Sequence, residues 1–130
     1  MGFKLLVLAA ACAAAAFTTA HAQTYPERTI RLIVPLAPGG GNDAAARVIA
    51  GELAKRLGQQ VVVDNRPGGG SVIASQIVVG APADGHTLYL VSTNFSLAAI
   101  LQTKLTFDSF RDFTPLSRVG ISPTRLIMAE

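Results

Sequence analysis

A strand, three consecutive glycines and a helix succeed one another between Ile30 and Gly58, and this run constrains the chain more than any other. Ile30–Val34 is a short apolar run broken by one arginine, the pattern of a buried strand. Pro35 and Pro38 end it, because a proline nitrogen cannot donate to a sheet ladder. Gly39, Gly40 and Gly41 then allow the backbone to turn with φ > 0 and to approach a ligand closely. Asn42 or Asp43 is suited to cap the next helix. Ala45, Ile49, Leu53 and Leu57 recur every four residues as its expected buried stripe, and Gly58 stands where a terminal left-handed glycine belongs. Such an arrangement aims free N–H groups and the positive end of a helix dipole at one point. It predicts an anion site.

The alternation continues downstream. Gln60–Asp64 is β-branched and reads as a second strand, succeeded by a second glycine loop through Pro67, Gly68, Gly69 and Gly70. Ser71 is placed to cap a helix with Ile73, Ala74, Ile77 and Val78 on its buried side, ended by Gly80. His86–Val91 is the third strand, Ser92–Ser96 a polar loop, and 97–103 a further helix. Phe107–Phe113 alternates aromatic and charged residues, as a turn pinned by three rings would. Thr114–Val119 and Thr124–Ala129 are further strand candidates. Alternating strands and helices predict an α/β fold with a mostly parallel sheet and flanking helices. Ligands bind beyond the carboxyl ends of such strands, where loops 35–43, 65–71 and 92–96 would meet.

Residues 1–22 carry a different signal. Lys4 precedes the apolar run from Leu5 to Phe17, and Ala20-His21-Ala22 is a cleavage motif, so a signal peptide is expected with Gln23 as the mature N-terminus. The apolar run is short for a membrane span. Cys12 is the only cysteine and falls inside this segment, which excludes disulfides and cysteine-based zinc sites from the rest. Beyond Lys4, ten basic residues stand against eight acidic ones, scattered along the chain. That is an ordinary solvated surface and no nucleic-acid patch. The chain ends in Thr124–Glu130 as a strand that has just begun, so residues 23–130 are expected to be a fragment.

Three chemistries compete for the first glycine loop. Gly39 to Ala44 satisfies G-x-G-x-x-A between a strand and a helix, and Asp64 stands where an acidic residue would hold a ribose, so a dinucleotide-binding domain of an exported oxidoreductase is the alternative function. Pro35 and Pro38 are awkward for that tight turn. A small carboxylate gripped by backbone N–H groups at 39–43 and by side chains at 92–96 fits an exported receptor. A tight turn with no ligand is the third reading. Catalysis has little support: Asp84 and Asp108 read as turn residues, His86 begins a strand, and Ser92 lacks a nucleophile elbow. Arg66 is expected to pair with Asp64 or Asp84 in preference to a ligand.

Several segments resemble one family throughout residues 23–130. Tyr25-Pro26, the run from Ile30 to Asp43, Val61 to Gly70, Ala83 to Leu88 and Phe107 to Ser117 look like the Bug-type solute receptors of tripartite tricarboxylate transporters. The resemblance implies a two-lobed, type II periplasmic binding fold of which only part of the first lobe is present. It also implies capture of small organic acids such as di- or tricarboxylates for a membrane permease, without catalysis, cofactor or metal. By matching position it assigns ligand contacts to Pro38, Gly39, Gly40, Asn42 and Asp43, and to Ser92, Thr93 and Asn94. Gly69, Gly70 and Ser71 form a secondary set, against which stands a capped helix behind a turn. Asn42 stands where the family often has threonine. Phe95 puts a ring in a loop that is usually small and polar, where core packing is its expected role.

Overall fold

The computed structural model describes residues 24–102 and 104–121. The expected signal peptide, residues 1–22, and the strand candidate Thr124–Ala129 lie outside the described residues. Ile30–Val34 forms β1, as its composition requires. It pairs in parallel with β2 (Val61–Asn65) on one side and β3 (Thr87–Tyr89) on the other, giving the order β2-β1-β3. Ile30 lies opposite Val61, and Leu32 lies between Val63 and Leu88. The central strand is covered on both faces, which is why its sequence is nearly continuous in apolar residues. Ile30, Ile33 and Val34 are fully buried.

Helix α1 (Gly41–Leu57) crosses back over the sheet, and Gly58 ends it in the left-handed region with its N–H on the Ala54 carbonyl. Its buried face differs from the expected stripe. Ala46 and Ala50 pack against Leu32 and Val34, whereas Ala45, Ile49, Leu53 and Leu57 are not in the buried core. The alanines let the helix axis lie close to the sheet, and Ile49, Leu53 and Leu57 stay half-buried.

The second strand starts one residue later than expected. The third is shorter, although Arg31 N–H to the His86 carbonyl and Leu90 N–H to the Ile33 carbonyl extend its ladder by one bond at each end. Between them a 3₁₀ turn (Gly69–Ser71) leads into α2 (Val72–Val79). Ser71 occupies the position before that helix but does not cap it: its φ is +85° and its hydroxyl is buried without a partner. The inner face of α2 is Ala74 and Ser75, and Ile73 is exposed. Helix α3 (Thr93–Leu101) begins four residues earlier than expected, with Ser92 preceding it in extended conformation. The polar stretch 92–96 is therefore a helix N-terminus.

Two rings, not three, pin the 107–113 turn. Phe107 is buried and Phe113 half-buried, but Phe110 is 93% exposed. Phe107 and Phe113 meet Phe95 with ring centroids 6.4 and 5.1 Å away, and Tyr89 closes the cluster. Asp108 shapes the turn by accepting the N–H groups of Phe110 and Arg111. Thr114–Val119 forms no strand. A strand needs a ladder partner, and this exposed stretch has none among the described residues.

Candidate functional site

The first glycine loop holds Gly39 at φ +85°, then Gly40 in extended conformation, and the helix starts at Gly41. Asp43 is thus inside the first turn and does not precede it. Its carboxylate reaches back to accept the Gly39 N–H at 3.0 Å, and Arg47, one turn on, grips it through two bonds of 2.9 and 3.1 Å. The Arg47 bonds first, and the Gly39 N–H second, hold the Asp43 pKa down at about 2. Asp43 fixes the loop. Asn65 secures the preceding residues by donating to the Leu36 carbonyl at 3.0 Å.

The N-termini of α1 and α3 open onto one cleft of about 590 Å³. Asn42 and Ala45 line it from α1, and Ser92, Thr93 and Asn94 from α3. Leu36 and the end of β3, Tyr89 to Val91, form the floor, with Ser117–Ile121 opposite. The N–H groups of a first helical turn have no intrahelical partner, so each wall contributes donors and the positive end of a dipole. The Ser92 hydroxyl adds a buried donor with no hydrogen-bond partner. Tyr89 is less free: its hydroxyl lies 3.1 Å from Ser75 Oγ and 3.3 Å from the Ser71 carbonyl. Burial pushes its pKa up against those two bonds.

Of the residues expected from sequence, Asn42, Ser92, Thr93 and Asn94 are therefore brought together. Pro38, Gly39 and Gly40 are exposed on the chain leading into α1 and do not line the cleft, nor does Asp43. Gly69, Gly70 and Ser71 lie outside it as well: Gln102 donates to the Gly69 carbonyl, and α3 packs on this turn. Sequence reasoning missed Leu36, Ala45, Tyr89 and residues 117–121. Tyr89 to Val91 fall under the rule that selected 92–96, the carboxyl end of a strand. Residues 117–121 carry no sequence signal for the site.

The features offered for other chemistries are occupied. Arg31 and Arg66 both bond the Asp64 carboxylate, as expected for Arg66. Burial pushes the Asp64 pKa up, but the two guanidinium groups outweigh it and the net shift is downward. An acid so engaged is a poor ribose acceptor, which argues against the dinucleotide alternative. His86 is buried against Tyr25, with ring centroids 5.2 Å apart, and its backbone N–H goes to Asp84, which also pairs with Arg28. None of these residues lines the cleft. Among the described residues no cluster of His, Cys, Asp and Glu could hold a metal ion, and no helix is long and apolar enough to cross a membrane. Phe95 packs among rings, as expected.

Comparison with known proteins converges on one group. The family described as tripartite tricarboxylate transporter family receptor matches residues 45–130. Protein BugT of Bordetella pertussis is 44% identical over 108 residues, covering 82% of this chain and 33% of that protein. Among solved structures, MatC from Rhodopseudomonas palustris with bound malate superposes with a TM-score of 0.65 at 40% identity, over 70% of this chain and 31% of MatC. A second R. palustris protein, with adipate, gives a TM-score of 0.50 at 42% identity, over 52% of this chain and 22% of its own. The chain spans about a third of the length of the curated relatives it matches.

Proposed function

The chain belongs to the tripartite tricarboxylate transporter receptor family, and from that premise we propose that it is part of the first lobe of an extracytoplasmic receptor. The receptor captures small organic carboxylates for a membrane permease. The observation that carries this is the convergence of two helix N-termini, with the unpartnered Ser92 hydroxyl between them, on a single cleft. Converging N–H groups and dipole ends stabilise an anion without a metal or a charged cofactor. Similar proteins hold malate and adipate.

In this reading Asn42, Ser92, Thr93 and Asn94 touch the ligand directly. Gly39, Gly40 and Pro38 set the path of the loop, and Asp43 locks it through Arg47. Export through a signal peptide cleaved after Ala22 would place the receptor in the periplasm, facing its permease. The residues act by binding alone, and no catalytic step is assigned to them. Gly69, Gly70 and Ser71 support α3 from behind.

A thermal melt of the purified chain with malate, adipate, citrate and a nicotinamide dinucleotide tests the proposal. Selective binding to the folded state raises the melting temperature. A rise with one or more carboxylates and none with the dinucleotide is the expected result. A rise with the dinucleotide alone would overturn it.

A further inference from the structure

Arg118 is the single charged residue lining the cleft, and no acidic residue shares that lining. It makes no ion pair among the described residues, whereas Arg28, Arg31, Arg47, Arg66 and Arg111 each pair with an aspartate. It belongs to the stretch 113–121, which has no regular structure and is not fixed by the sheet. The two helix N-termini present uncharged N–H donors. The guanidinium carried by a residue of the same cleft is a second and different anion-attracting element. With no carboxylate in the lining to cancel it, its positive potential extends into the cavity.

We propose that Arg118 is a specificity-determining residue, holding a second anionic group of the ligand while the helix N-termini hold the first. The cleft then selects dianions over monoanions of equal length. This rests on the carboxylate-receptor reading above and adds to it the origin of charge selectivity. Guanidinium suits the role because its planar fork can hold a carboxylate through two parallel bonds, which an ammonium cannot do. Open to solvent as it is, the pair is partly screened, so its contribution is moderate and falls with added salt.

The test is calorimetric titration of the full chain, as wild type, R118Q and R118K, with succinate and adipate and with the monoamide of each. The amide keeps the length and removes one charge. R118Q is expected to weaken the two dianions about tenfold and the monoamides less than about twofold, with R118K intermediate. Raising the salt concentration should shrink the difference in the wild type and leave R118Q nearly unchanged. Equal weakening of dianions and monoamides, or none in either, overturns the selector while leaving the receptor in place. Failure of the wild type to bind any of the four overturns both.

Discussion

Two loops of this chain share the sequence Pro-Gly-Gly-Gly, at 38–41 and at 67–70, and they fold in opposite ways. In the first, Gly39 alone has positive φ, and α1 begins at the third glycine. Side-chain carbons added at Gly39 or Gly41 would meet nothing within 4 Å, and at Gly40 only the Ala37 carbonyl at 3.9 Å. In the second, Gly68, Gly69, Gly70 and Ser71 all have positive φ. There a side-chain carbon at Gly68 would come within 2.6 Å of Ile73 Cδ1. One loop leaves open space beside its glycines, and the other fills it. The downstream residues make the difference: Asp43 and Arg47 lock the first loop from within α1, while the second is held by α2, Tyr89 and Gln102. Identical glycines thus lead into a helix with open space beside them in one place and hold a left-handed path in the other.

The comparison breaks most visibly at Gly68. With φ at +130°, a conformation that L-residues rarely adopt, and Ile73 in the way, Gly68→Val should cost about 2–3 kcal/mol in urea denaturation. Gly41→Ala, in the first helical turn with nothing to strike, should be neutral or gain about 0.5 kcal/mol. Equal losses at the two sites would mean that the first loop is as tightly packed as the second. Binding should respond in the reverse order. Gly40 has φ −84° and ψ 173°, which a β-branched residue adopts readily, so Gly40→Val should keep the fold. Gly40 does not itself line the cleft, but it immediately precedes the α1 N-terminus that does, so branched methyl groups there should crowd an anion approaching those N–H groups and lower malate affinity about tenfold, or about 1.4 kcal/mol. Undiminished affinity would remove the first loop from the site.

How much of this contrast the sequence carries differs between the loops. Strand β1, the loop and Gly58 are legible because local signals agree: an apolar run, two prolines, and a terminal glycine. The internal lock is legible in principle, since Asp43 and Arg47 stand one helical turn apart, but an aspartate near a helix start reads first as a cap. Ser71 defeats the capping rule because a serine before an apolar run is a cap only if its backbone is extended, and packing decides that. The start of α3 is hidden for a related reason: Thr93 and Asn94 have weak helix propensity, yet a first turn after Ser92 tolerates them. The far wall of the cleft, 117–121, is an exposed stretch without regular structure, which no local sequence signal announces. Short stretches such as Thr114–Val119 form a strand only where a neighbour offers a ladder.

Acid exposes the lock. Asp43 and Asp84 both have folded pKa values of about 2. Depressed carboxyl values contribute stability that is fully present above the unfolded value, about 4, and is lost as pH falls toward about 2. Stability measured by denaturation should therefore decline as pH falls between these limits. Asp43→Asn should remove part of that slope and leave the slope from Asp84, which depends first on the His86 N–H and then on Arg28. A wild-type chain whose stability did not change across this interval would show that neither aspartate is held as described.

The smallest effects separate two serines that look alike. Ser71 and Ser92 each bury a hydroxyl without a partner, but Ser92 lines the cleft and Ser71 does not. Ser71 also holds φ at +85°. Glycine there relieves the left-handed strain and the unpaired hydroxyl, at the cost of a freer unfolded chain. The balance favours Ser71→Gly by about 0.5–1 kcal/mol, with malate affinity unchanged. Ser92→Ala should do the opposite, leaving stability within about 0.5 kcal/mol and weakening malate about fivefold, the size of one hydrogen bond. If both substitutions altered stability and neither altered binding, the Ser92 hydroxyl would be a packing group like that of Ser71. Anion binding would then fall to the backbone N–H groups of α1 and α3, with Asn42, Thr93, Asn94 and Arg118 as the polar side chains beside them.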